Sequence, residues 1–488
     1  MNKLLKLVGY DKSKGTTVKT ELVAGVVTFL AMAYILTVNP NQIVGAGSPY
    51  WASVFIATAL GAVIGTLLMA FLAKMPLAQA SGMGLNSMLG GIIGGWGGYG
   101  AAFTPGQGFM LVLISGFAFL LLSFIKFNGK TVRELVFDGM PVPVRSSISV
   151  GIGLFIAFIG FQNAKIIVDD PYVLLKLVDL TTFNIDTANA IVCLVGLFII
   201  AVLDRLNVKG SIIIGVAGAT IIGIPLGVTD LSILAGQGDV SWKFWENFAD
   251  FFAGENSVFL SFTDVFTEGL APEGVSTFTV VMILITLCMI DMFDTMGTIV
   301  GCCGGNRILS DENNKPRNYG KIMLSDAIAT CAGAVIGTST VTTFVESGAG
   351  VSAGGRTGLT AFSTATMFFL SLFALPVFAA IPSAAAASAL IYVGVLMMKN
   401  NATSIDFSNT IGSTSAFLTI AVMVLSYSIT KGIGVGMIAH TFMSLAFYLI
   451  NLVKYLVTKK NKPTFDVSVV SIIVSLLFCV YFFIPAVI

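Results

Sequence analysis

Residues 57–66 read ATALGAVIGT and residues 329–338 read ATCAGAVIGT, identical at eight of ten positions. Apolar runs of small residues coincide by chance more often than mixed sequences do, so the surroundings carry the argument. Each copy precedes a short, glycine-rich, interrupted stretch: PLAQASGMGLNSMLGG at 76–91 after the first, STVTTFVESGAGVSAGG at 339–355 after the second. The repeat-to-interruption distances differ by about a dozen residues, so the two units correspond approximately. Neither stretch is long enough for a full membrane helix, which needs about 20 predominantly apolar residues.

The rest of the chain sets those stretches in a membrane. Its 488 residues would make about three soluble domains by length. However, 56% are hydrophobic and only 10% charged, against roughly 25% charged in soluble proteins. Mean hydropathy is +0.93. Water could not solvate so much apolar surface, which implies a polytopic membrane protein and excludes a soluble enzyme. A net charge of +1 offers no field for nucleic acid. The six cysteines lack metal-ligand or disulfide-like spacing and read as small packing residues. The single histidine, His440, rules out a site built on two imidazoles and reads as a packing residue.

Full spans are expected at 20–38, 52–73, 106–126, 144–161, 188–204, 211–228, 276–301, 321–337, 358–381, 383–398, 413–429, 432–455 and 466–487, with 77–94 and 338–352 as interrupted segments. The N-terminus carries five lysines before the first apolar run and is read as cytoplasmic, with an uncleaved first span. Counting both interrupted segments as crossings puts Lys126, Lys130, Arg133, Arg205, Lys209, Arg307, Lys315, Arg317, Lys321, Lys454, Lys459, Lys460 and Lys462 in cytoplasmic loops. Loop 229–275, with eight acids against Lys243, then lies outside, as do Trp51, Trp96, Trp242 and Trp245. Within it, WKFWENFADFF at 242–252 has apolar residues at helical spacing and is expected to lie along the outer surface. Gly94–Gly100 reads as an external loop rather than a phosphate cradle, since no strand precedes it and no Lys-Ser/Thr follows.

Seven crossings before residue 276 turn the second unit upside-down relative to the first. Inverted repeats with paired discontinuous helices point to a secondary transporter with its site at mid-membrane. The β-branched run Ser339–Thr343 favours a short extended segment. A half-helix from about Glu346 would then aim backbone N–H groups into a cavity.

Acids at membrane depth are costly, at roughly 2.5–3.5 kcal/mol each on insertion scales. Asp291 and Asp294 stand three residues apart in LCMIDMFDTMGTIVG, on one helical face; Glu346 lies in the second interruption and Asn86 in the first. No lysine or arginine shares their depth. Carboxylates buried in this way can carry a proton and can hydrogen-bond a planar heterocycle with several N–H groups; the physics alone excludes neither a metal cation nor a sugar. Tyr34 and Phe344 could stack on a flat substrate or simply pack. Asp326 reads as a cap or helix-dipole partner near the cytoplasmic start of its span.

With these residues in view the chain resembles the AzgA-like purine permeases, the hypoxanthine/guanine/adenine branch of the nucleobase–cation symporters related to uracil and xanthine permeases. The likeness runs through TTVKTELVAGVVTFLAMAYILTVNP at 16–40, GMGLN at 82–86, GIGLFIAFIGFQNA at 151–164, DMFDTMGT at 291–298, GTSTVTTFVESGAGVSAGGRTGLTA at 337–361 and IPSAAAASALIYVGVLMM at 381–398. It implies an all-α polytopic fold of fourteen transmembrane segments in two inverted seven-segment repeats, with a short strand and half-helix in segments three and ten. The repeats would occupy 1–228 (core 1–126, gate 144–228) and 276–455 (core 276–381, gate 383–455). Loop 229–275 separates them, and hydrophobic segment 456–488 follows. That tail is one helix more than fourteen.

The resemblance also implies a purine nucleobase held by Asp291 and Glu346, with Gly84 and Asn86 shaping the pocket and Phe344 and Tyr34 beside it. Asp294, with Asp291 and Glu346, is the candidate for proton coupling. No cofactor, metal or nucleic acid is implied beyond the coupling proton. The expected setting is the cytoplasmic membrane, as a homodimer. Two alternatives stay open: an anion carrier of the sulfate or bicarbonate type, which the carboxylates disfavour, and sodium-coupled nucleobase uptake. A channel or membrane scaffold would need a continuous polar pore or a large soluble partner domain, and neither is visible.

Overall fold

The computed structural model describes residues 2–96, 101–127, 130–131, 139–170, 174–235, 240–303, 308–310, 316–402, 405–459 and 467–483. Of the loop residues above, Gly97–Gly100, Arg133, Asp239, Arg307, Lys315, Lys460 and Lys462 lie outside the described residues.

After a short N-terminal helical turn at Asn2–Leu7, the first span begins with α1 (Val18–Met32), capped by the Thr17 hydroxyl, which accepts from Thr20 N. A two-residue joint at Ala33–Tyr34 leads into α2 (Ile35–Ile43), so the first span runs on through Pro40, beyond the expected 38. Helix α3 (Trp51–Leu68) carries the first repeat and ends in a wide turn at Met69–Ala73. Strand β1 (Gln79–Ser81) and half-helix α4 (Met83–Ile93) then replace a full span. There follow α5 (Pro105–Phe124), with a Thr104–Gln107 capping box, α6 (Val142–Asn163), α7 (Ile185–Arg205) and α8 (Ser211–Gly223).

The stretch 242–252 is helical as its spacing predicts: α9 (Phe244–Ala253) buries Asn247 and Phe251 and leaves Trp245 exposed. The second half comprises α10 (Thr277–Cys303), α11 (Tyr319–Ile336), strand β2 (Val341–Thr343), the six-residue half-helix α12 (Ser347–Ser352) and α13 (Gly358–Ser371). After these come α14 (Ser383–Asn401), α15 (Thr410–Leu425), α16 (Ile429–Thr458) and α17 (Val469–Phe483). Among the described residues nine helices are long and apolar enough to cross a membrane, and five shorter apolar ones accompany them. An unexpected element is the hairpin Ile167–Asp170/Leu174–Leu177, with a 2.9 Å Lys176–Asp170 ion pair across it.

The two interrupted segments meet. β1 pairs antiparallel with β2, Gln79 opposite Thr343, Ala80 opposite Thr342 and Ser81 opposite Val341. Two further backbone bonds extend the ribbon, Gly82 N to Thr340 O (2.9 Å) and Phe344 N to Ala78 O (3.0 Å). The repeat helices α3 and α11 clasp it, and equivalent threonines do equivalent work. Thr66 Oγ1 bonds both backbone groups of Gln79 at 3.0 Å. Its counterpart Thr338 bonds the Ser81 hydroxyl at 2.7 Å. Glycines set the spacing: a Cβ on Gly65 would stand 2.7 Å from Val341 Cγ1, and one on Gly333 2.7 Å from Val341 Cγ2.

Packing divides the helices into two groups. α1, α3, α5, α10, α11, α12 and α13 gather around the ribbon, while α6 lies along α14 and α15, α7 against α8 and α14, and α16 against α15 and α17. One consequence concerns the repeat glycines. Gly333→Val should force Val341 aside and cost about 1–3 kcal/mol, the usual range for overpacking. It should appear as a lowered unfolding temperature of the purified protein in detergent.

Candidate functional site

The site grows out of the joint in the first span and the ends of the ribbon. Tyr34, 2% exposed at the Ala33–Tyr34 joint, donates its hydroxyl to Glu346 Oε1 at 2.6 Å. Glu346 is the residue just before α12, where a half-helix beginning near it was expected. From α10, Asp294 accepts a hydrogen bond from Thr342 Oγ1 at 3.4 Å and stands within electrostatic reach of both Glu346 and Tyr34. Two acids from different elements and one phenol therefore converge beside β2. Phe344, buried at 5% exposure, follows the strand directly.

The other expected residues lie differently. Asp291 sits one turn before Asp294, 2% exposed, within electrostatic reach of Cys331 on α11. Asn86 is fully buried and spends its amide on the ribbon: Nδ2 donates to Ser81 O at 3.3 Å and Oδ1 accepts from the Ser339 hydroxyl. It thereby ties both interrupted segments together. Gly84 faces a helix of the other packing group, since a Cβ there would lie 2.9 Å from Ile152 Cγ2 on α6. Among the described residues no three His, Cys, Asp or Glu side chains are grouped to hold a metal.

Three participants were missed or misread in the sequence. Asp326 is no helix-end cap; it lies two turns inside α11, fully buried, and accepts from Thr295 Oγ1 at 2.8 Å and Gln79 Nε2 at 3.1 Å. The misreading took a position near a loop to be a position near water. Gln79, an amide within an apolar run that carries no motif to mark it, also donates to Thr343 Oγ1 at 3.3 Å. Glu21, fully buried, caps α13 by accepting from Arg356 N (3.1 Å), Thr357 N (3.3 Å) and Thr360 Oγ1 (2.5 Å). Arg356 in turn donates to Val351 O at 2.5 Å, at the C-terminal end of α12, where a cation is favoured.

Carboxylates and a phenol held at mid-span, between paired broken segments, form an arrangement for binding and releasing a polar molecule inside a membrane. The Xan_ur_permease model of the Permease family matches residues 19–437. The chain belongs to the xanthine/uracil permease family. Its relatives include the guanine/hypoxanthine permease PbuO of Bacillus subtilis, 36% identical over 89% of this chain and 93% of that one. Another is the adenine permease AdeP of Escherichia coli, 33% identical over 91% of each.

The fold is similar to the transmembrane domain of the cyanobacterial bicarbonate transporter BicA (TM-score 0.56, 17% identity, 86% of this chain and 96% of that one). It is also similar to the murine anion transporter Slc26a9 in its inward-facing state (TM-score 0.55, 13% identity, 88% of this chain and 68% of that one). This permease is an integral membrane protein and not an enzyme.

The Gly84 contact makes a distinguishing test. Gly84→Val should press on Ile152 and lower both unfolding temperature and transport, at about 1–3 kcal/mol of stability. Adding Ile152→Ala should restore the unfolding temperature. A double variant as unstable as the single one would mean that Gly84 answers to something other than Ile152.

Proposed function

We propose that this permease imports purine nucleobases across the cytoplasmic membrane by proton symport, working by alternating access. The observation that carries the reading is the convergence of Tyr34, Glu346 and Asp294 beside the broken segments, in a chain whose relatives are named guanine/hypoxanthine and adenine permeases. Carboxylates accept hydrogen bonds from ring N–H groups, and a protonated one also donates to a ring nitrogen or carbonyl. A purine edge offers both kinds of partner. An anion would meet repulsion from the same two acids, which sets the anion-carrier alternative behind this one despite the shared fold.

In this reading the base sits between α1, α4, α10 and the start of α12. Of the two α10 acids, Asp294 shares reach with Glu346, so the base-facing role goes to Asp294; the family resemblance alone gave it to Asp291. Asp291, buried one turn earlier, is then the candidate to carry the coupling proton. The ribbon and its helices (α1, α3, α4, α5, α10, α11, α12, α13) would be the core that carries substrate. The group built on α6 and α14 would be the gate against which it slides, elevator-fashion, and Gly84 against Ile152 lies on that sliding surface. Fourteen segments, a cytoplasmic N-terminus and a homodimeric assembly complete the proposal, with α17 as an added helix.

The test is uptake by cells or proteoliposomes of guanine, hypoxanthine, adenine, xanthine and uracil. At least one purine should accumulate and uracil should not. Glu346→Gln and Asp294→Asn should each weaken purine affinity at least about tenfold, the scale of one lost charge-assisted hydrogen bond, while the protein stays folded. Wild-type affinity in either variant would remove that residue from the site.

Coupling is tested separately. A protonophore should stop accumulation without stopping exchange of labelled for unlabelled base, and entry of substrate should alkalinise the outer medium. Accumulation driven by a sodium gradient alone would put sodium in the proton's place.

A further inference from the structure

A cavity of about 900 Å³ opens on the face that carries Trp96, and Tyr34, Asp294, Phe344 and Glu346 take no part in its lining. It runs along the C-terminal turns of α4 (Ser87, Gly90, Ile93) and is closed on the far side by Ile159 and Asn163 of α6 and by Tyr427. The central acids lie near the opposite, N-terminal end of α4, so the cavity and the central site share one half-helix.

Two features of the lining point to a ligand. The first is Gln42, at the end of α2. It is only 8% exposed, and its Nε2 donates to Ser87 Oγ at 2.8 Å. Its Oε1 is buried and accepts no hydrogen bond among the described residues. A buried carbonyl oxygen without a donor is costly to leave unmet; the residue lines the cavity, and a turn of its side chain would present that oxygen to a ligand N–H.

The second feature is aromatic. Trp96 lies against α4 where Gly91 and Gly94 have no side chains: a Cβ at either would come within 3.0 Å of the indole. The ring is thereby held in place yet remains 40% exposed. Tyr427, which meets it edge-on at 5.2 Å, is itself braced by Phe155 and Phe158 at 5.6 Å each. A braced aromatic pair, Trp96 exposed and Tyr427 half-buried, beside an unmet amide acceptor matches a flat ring that carries N–H groups on its edge.

We propose that this cavity is an entry subsite for the nucleobase, in which Gln42 Oε1 accepts an N–H of the ring edge while the base stacks against the Trp96–Tyr427 pair. The assignment rests on the nucleobase reading above and extends it: the base is held, and partly selected, before it reaches the carboxylates. Gln42 is then a specificity-determining residue, since a ring that lacks an N–H at the matching edge leaves its carbonyl unmet.

The experiment uses purified full-length protein with Glu346→Gln, which weakens the central site, titrated with hypoxanthine while tryptophan emission is followed. A saturable quench is expected. It should vanish when Trp96→Phe is added, and should shift about tenfold to higher concentration when Gln42→Ala is added. In transport, Gln42→Ala alone should raise KM about tenfold and keep kcat. Absence of a saturable quench in the Glu346→Gln protein, where wild type binds hypoxanthine, overturns the subsite and leaves the functional reading intact. So does a quench that survives Trp96→Phe, or a Gln42→Ala protein that loses kcat together with its unfolding temperature, which is the mark of a packing residue. A wild-type protein that neither binds nor transports any purine overturns the functional reading, and the subsite falls with it.

Discussion

Everything in this molecule is arranged around six residues of backbone, Gln79–Ser81 against Val341–Thr343. A chain in hydrocarbon has no water to satisfy an exposed N–H or C=O, so a span can be interrupted only if something else takes over those bonds. Here each interruption serves the other. The antiparallel ladder, extended by Gly82 to Thr340 and Phe344 to Ala78, accounts for backbone that neither half-helix can hold. Because the strands come from opposite halves of the chain, the local need for hydrogen bonds becomes a long-range contact that fixes how the halves meet. The repeat helices follow from this: they have glycine where a ribbon must lie close and threonine where its polar groups need partners.

A second consequence is electrostatic order. Thr295, next to Asp294, donates to Asp326, which also accepts from Gln79 at the start of β1. Thr342, within β2, donates to Asp294 itself. The strands and the helix bearing the acid are thus latched on both sides, so Asp294 and Glu346 are held in mutual register by hydrogen bonds rather than by packing alone. On the other side, Glu21 and Arg356 hold the far end of α12, so the short half-helix is fixed at both termini.

The broad plan was legible in the amino acids for physical reasons. Membrane residence follows from charge scarcity. The breaks follow from glycine and β-branched residues in runs too short to span, and Glu346 is conspicuous because an acid among valines and glycines has few innocent uses. What escaped was whatever depends on a neighbour distant in sequence. Asp326 and Glu21 look like residues at span ends when counted along the chain, and only the packing of α11 against the ribbon, or of α1 against α13, makes them buried. Gly84 was read as facing a substrate, whereas its open side meets Ile152; a missing side chain says that something comes close, not what. Spacing alone could not rank the two acids of α10, because three residues of helix separate them by too small a rotation; only the family resemblance favoured Asp291.

The ribbon also bears on how the protein is made. Gln79 and its partner Thr343 lie 264 positions apart, and ribosomes extend a chain at about 5–20 residues per second. The first interruption must therefore wait roughly 13–50 seconds, by that rate, between its own synthesis and the arrival of the strand that completes it. Throughout that interval β1 has unmet backbone groups in or near the bilayer. The nascent first half cannot settle as a finished unit, and its interrupted segment must stay at the interface, in the insertion machinery, or against provisional partners until the second half emerges. A chain stopped between the two strands is an orphan of known defect, three residues wide, and offers quality-control factors a feature that separates half-built copies from finished ones.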